Sequence, residues 1–98
     1  MATLIKIDGT RQEVHPSNKR RGFTLDEVYA LLGCSMVQCV AVSNGKQETM
    51  IVDEEGKLKE GWPERINSEA TAIYDRTYGP GRNLIVGNVL LCSHKEWK

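Results

Sequence analysis

The apolar residues of Thr3–Ile7 are β-formers, with Ile5 and Ile7 on one face and Leu4 and Lys6 on the other, which predicts a β-strand. Asp8-Gly9 follows as a turn pair that tolerates positive φ, so Thr10–Val14 is expected to return as a second strand. His15-Pro16-Ser17-Asn18 ends that strand, because proline lacks the ladder donor and restricts its neighbour. Lys19–Gly22 reads as an exposed basic loop. At Thr24 the period changes. Leu25, Val28, Tyr29, Leu31 and Leu32 form a helical stripe, Thr24 and Glu27 stand at capping-box spacing, and Phe23 and Val28 stand at staple spacing. Gly33 is a natural stop, which predicts a helix over Leu25–Leu32.

Two strands are expected next, Met36–Val42 and Gln47–Val52, joined through the Asn44-Gly45 pair as a tight hairpin. Asp53–Gly56 makes a turn and Lys57–Trp62 a loop. Asn67 or Ser68 caps a second helix whose apolar face holds Ala70, Ile73 and Tyr74, and which ends before Gly79-Pro80-Gly81. Asn83–Cys92 reads as the last strand, interrupted at Gly87-Asn88 by a bulge or a close backbone approach. The order β-β-α-β-β-α-β predicts an α+β fold. Its sheet is mostly antiparallel, of about five strands, and is covered by two short helices.

Ninety-eight residues suffice for one core and one domain. Lys plus Arg and Asp plus Glu number 13 each, so the formal net charge is zero, which argues against a broad electrostatic grip on a nucleic-acid backbone. No apolar run approaches the length of a membrane span, and charges interrupt the first residues too early for a secretory signal. Three cysteines, Cys34, Cys39 and Cys92, cannot all pair within one chain and fit a reducing compartment, so a cytoplasmic location is expected.

Chemistry-bearing residues are sparse. The cysteines with His94 lack the close spacing of a zinc site, so neither a metal nor a cofactor is expected. A thiol nucleophile would need His15 or His94 brought to it by the fold. Asp53, Glu54 and Glu55 read as a solvated turn rather than an acid/base or hard-metal site. Gly79–Asn83 is an anion-binding candidate through Arg82, with Tyr78 and Tyr74 near enough in sequence to stack on a ligand. It has neither the spacing nor the Lys-Ser/Thr ending of a P-loop. Lys19, Arg20 and Arg21 form a second cationic candidate, and Trp62 and Trp97 are candidate interface anchors.

The run Val52–Leu58, followed by Pro63, Asn67, Ala70-Thr71, Ile73-Tyr74 and Ile85–Leu90, resembles domain-of-unknown-function family 3846, small proteins of bacteriophages, plasmids and bacterial genomes. The resemblance lies in an acidic-Gly-Lys-Leu turn at Glu55–Leu58, an Asn-containing helix start at Asn67 with Ala70, and a Gly-containing final strand at Gly87-Asn88. The Asp75–Arg82 connection looks enlarged. No activity comes with the family, but the resemblance implies an accessory role in a mobile element.

The reading that follows is a non-enzymatic accessory binding protein that captures a host protein or a small anionic ligand. Its ligand residues would be Arg82, Tyr78, Asn67 and Arg21: the cations for phosphate or carboxylate, the tyrosine for stacking and the asparagine for orienting hydrogen bonds. Self-association is expected from edge strands and the two tryptophans. The alternatives are a nucleic-acid-binding protein using Lys19, Arg20, Arg21 and Arg82, a small thiol enzyme or hydrolase, and a structural phage component.

Overall fold

The computed structural model describes residues 2–17, 22–43, 47–81 and 83–93. Its elements are β1 (Ala2–Ile5), β2 (Arg11–Val14), α1 (Leu25–Leu32), β3 (Val37–Ser43), β4 (Gln47–Asp53), α2 (Ser68–Tyr78) and β5 (Val89–Cys92). Two short 3-10 turns, Gly56–Leu58 and Trp62–Arg65, join β4 to α2. The strands form one antiparallel sheet in the order β2-β1-β5-β4-β3, so the fold is α+β with the element order that the pattern predicts.

Local sequence explains the outer pieces. Gly9 takes φ 89° and lets the Lys6 N–H reach Thr10 O at 2.9 Å, which closes the β1–β2 hairpin. Thr24 Oγ1 accepts the Glu27 N–H at 3.2 Å while Glu27 Oε1 accepts the Thr24 N–H at 3.0 Å, so the capping box of α1 is complete. The other carboxylate oxygen, Glu27 Oε2, accepts the Ser17 N–H at 2.9 Å and ties the turn after β2 to the helix. Phe23 and Val28 are buried in the same cluster, as staple spacing requires. The Asn44-Gly45 pair lies outside the described residues.

The two helices lie against opposite faces of the sheet. One apolar cluster gathers Ile5, Met50, Val52, Val89 and Leu91 with Ala70 and Ile73 of α2. The other gathers Ala2, Leu4, Ile51, Leu90 and Cys92 with Val28 and Leu32 of α1. Alternation across the registered strands produces this split, since Met50 pairs with Leu91, and Ile51 with Leu90. Every residue of β5 is therefore buried, and Val-Leu-Leu-Cys reads as a continuous apolar run rather than an alternating one.

The last strand begins at Val89, six positions later than its apolar run suggests. Asn83–Asn88 is instead an irregular connector whose one ladder contact among the described residues is the antiparallel bridge between Ile66 and Val86. Ile85 and Val86 are apolar because they are buried, not because they lie in the sheet. Among the described residues no helix is long and apolar enough to cross a membrane.

Candidate functional site

The three segments that carry the family pattern converge on this connector. Asn67 precedes α2 and is fully buried; its Oδ1 accepts the Ala70 N–H at 3.0 Å as the helix N-cap. Its Nδ2 donates to Ile5 O at 3.0 Å and to Gly87 O at 2.9 Å. These carbonyls belong to the two chains that part where the β1–β5 ladder ends at Ile5 and Val89. Gly87, at φ 84°, donates its N–H to Arg65 O at 2.8 Å, and Asn88 Oδ1 accepts the Ile7 N–H at 3.1 Å. Gly56 packs on Val86 so closely that a Cβ there would stand 3.2 Å from Val86 Cβ.

Beside this junction two hollows adjoin, with Lys57, Asn83 and Leu84 lining both. The smaller, of about 120 Å³, is also lined by Gly56, Val86 and Glu54; the larger, of about 260 Å³, by Thr71, Asp75 and Gly81. Between them the Lys57 ammonium donates to Asn83 Oδ1, which also accepts the Leu84 N–H at 3.0 Å. Thr71 Oγ1 accepts the Ile85 N–H at 3.0 Å and fixes the connector to α2. Asp75 Oδ1 is buried and has no hydrogen-bond partner among the described residues. Asp53 is neutralised locally, its carboxylate 2.7 Å from Lys59 Nζ and accepting the Glu55 N–H at 3.0 Å.

Among the described residues the lining offers one cation, Lys57, with the Asn83 amide beside it where the hollows meet, and the carboxylates of Asp53 and Glu54 in the smaller hollow and of Asp75 in the larger. It suits a small polar molecule that presents an acceptor to Lys57.

A family model described as a domain of unknown function (DUF3846) matches residues 2–98. The chain belongs to that family. No curated protein and no solved structure matches it. In this DUF3846 chain, Glu55–Leu58, Asn67 and Gly87-Asn88 thus build one junction, and each has a structural task in it.

Of the residues expected to hold a ligand, the structure separates two and does not describe the others. Asn67 is enclosed, with both ends of its amide engaged by the protein. Tyr78 stacks on Tyr74 with ring centroids 4.7 Å apart, and its hydroxyl donates to Ala41 O of β3, on the sheet edge. Arg82, Arg21, Lys19, Arg20 and Trp97 lie outside the described residues. Trp62 is half-buried at the start of its 3-10 turn. Lys57 is the residue that sequence reasoning passed over: it stood inside the Glu55–Leu58 motif but read as part of a turn and loop.

Sulfur chemistry is dispersed. Cys34 is half-buried, Cys39 exposed and Cys92 buried. Burial, and then the Asp53 carboxylate, push the Cys34 thiol above its ordinary range, which suppresses the thiolate that a nucleophile needs. Among the described residues no three His, Cys, Asp or Glu side chains group to hold a metal ion, and His94 lies outside them.

Proposed function

We propose that this DUF3846 chain is a non-enzymatic accessory binding protein of mobile-element origin, acting in the cytoplasm. It captures a small ligand bearing an anionic group in the paired hollows beside Lys57. The observation that carries this reading is the Lys57–Asn83 contact at the meeting of both hollows. Displacing Asn83 Oδ1 with a ligand carboxylate or phosphate exchanges a neutral acceptor for a charged one, and charge-assisted bonds are the stronger kind. The glycine at position 81 and the buried junction beneath the hollows support the same reading, since they combine close backbone approach with a fixed frame.

Native mass spectrometry of gently purified protein tests it, with thermal-shift titrations of inorganic phosphate, acetate and nucleoside monophosphates. A stoichiometric small molecule, or a saturable rise in melting temperature, is expected for the wild type. In Lys57→Ala the affinity should fall on the order of tenfold or more, the worth of one charged hydrogen bond. A wild type with neither a retained molecule nor any shift in this panel sinks the proposal.

A further inference from the structure

Strand β3 is one of the two sheet edges, and the two edges are protected very differently. The β2 edge is four residues long, carries Arg11 and Glu13, and has Pro16 two positions past its end. Short length, charge and proline are the usual guards against stray pairing. By contrast β3 is seven residues, Val-Gln-Cys-Val-Ala-Val-Ser, without a charge or a proline.

Its outward backbone groups follow from the register. Successive residues of an antiparallel strand direct their N–H and C=O alternately toward the partner and away from it. Tyr78 OH donates to Ala41 O, and the Ser43 N–H donates to Thr77 Oγ1 at 2.9 Å, so the set containing Ala41 and Ser43 faces outward. Gln38, Val40 and Val42, which pair with Val52, Met50 and Glu48, face β4. The last turn of α2 thus occupies one outward carbonyl and one outward amide of this edge.

We propose that β3 is a pairing edge for a second copy of this chain, and that Thr77 and Tyr78 form the latch that holds it closed. The occupant is a second β3 because the edge is self-complementary. A two-fold axis across it sets one uncharged strand antiparallel to another, with no like charges opposed, and runs one sheet through both molecules. Freeing Ala41 O and the Ser43 N–H restores two of the groups that such a ladder uses.

The test is the double variant Thr77→Val/Tyr78→Phe, which keeps both side-chain shapes and removes the two polar contacts. Light scattering after gel filtration should show a concentration-dependent doubling of mass relative to the wild type. Adding Ala41→Lys should return it to the wild-type mass, since that exposed position would bring a cation from each copy into one short ladder, and charge on an edge strand is a usual guard against pairing. A folded double variant with unchanged mass overturns the proposal, as does open-ended aggregation, because pairing through one edge closes at two copies. Should the double variant not fold, Tyr78→Phe alone serves. It leaves the ring on Tyr74, and an unchanged mass at the highest attainable concentration would again overturn the latch.

Discussion

The side-chain amide of Asn67 donates to the carbonyl of Ile5 at 3.0 Å, joining the start of α2 to the end of β1. With its second bond to Gly87 O, this one group fills the gap where β1 and β5 part, and it caps the helix with its oxygen. Asn67→Ala removes a cap and leaves two buried carbonyls short of a donor, a loss of about 3 kcal/mol by the usual worth of each. Asn67→Asp keeps the cap but sets a carboxylate against both carbonyls. Urea unfolding should rank wild type above Asn67→Ala, with Asn67→Asp no better than alanine. An Asn67→Asp variant of wild-type stability would contradict this account of the junction.

Gly87→Ala tests the same junction through its backbone. The position holds φ 84°, which costs an L-residue roughly 1–2 kcal/mol, while the space beside it is ample, the nearest atom to a Cβ being Arg65 Nη2 at 3.8 Å. At Gly56 the obstacle is instead crowding against Val86. Gly87→Asn should therefore recover part of the loss, because asparagine tolerates positive φ, whereas Gly56→Asn should be worse than Gly56→Ala. Melting temperatures of the four variants decide between backbone strain and steric crowding.

Acid titration reports on Glu27. The backbone N–H groups of Thr24 and then Ser17 hold its carboxyl down, from the ordinary 4.5 to about 2. A carboxyl depressed in the folded state contributes stability that is full above its unfolded pKa and is lost as pH falls through the folded one. Stability should thus decline between pH 4.5 and about 2, and Glu27→Gln should flatten part of that decline. Asp8, depressed by the Thr10 hydroxyl and then its N–H, contributes a decline that Glu27→Gln leaves in place. Equal pH slopes for the wild type and Glu27→Gln would count against the tie between α1 and Ser17.

Thiol labelling should separate the cysteines by environment. Cys39, exposed on the edge strand, is expected to react first with an alkylating reagent. Cys34 should lag and need higher pH, because its thiol is raised, and Cys92 should react only on unfolding. Mass spectrometry of the labelled peptides gives the order directly.

How far the fold could be read from sequence depended on how local each cause was. Helix α1 was legible to the residue, since Thr24, Glu27 and Gly33 act within ten positions of one another. The β1–β2 turn was legible in its glycine, although β1 ends at Ile5 rather than Ile7, and of the two caps offered for α2, Asn67 and Ser68, the structure selects Asn67. What sequence could not show was the company each residue keeps across the chain. The late start of β5 was hidden because Ile85 and Val86 are buried against the junction rather than paired in the sheet. Lys57, Asn83 and Asp75 sit on three separate segments, and nothing in their spacing brings them together before the connector folds onto α2.

The place of β5 has a kinetic consequence. The β1–β2 and β3–β4 hairpins each close over short stretches of chain, but they are not neighbours; β5 lies between them and pairs with both. Until residues 89–92 arrive, neither apolar cluster has its central wall, and the two hairpins remain separate partly formed units. The pairing of Ile5 with Val89 closes a loop of most of the chain, so this step, rather than helix or hairpin formation, should set the folding rate. During synthesis the protein would stay open, with both hairpins exposed to chaperones and proteases, until its fifth strand clears the ribosome.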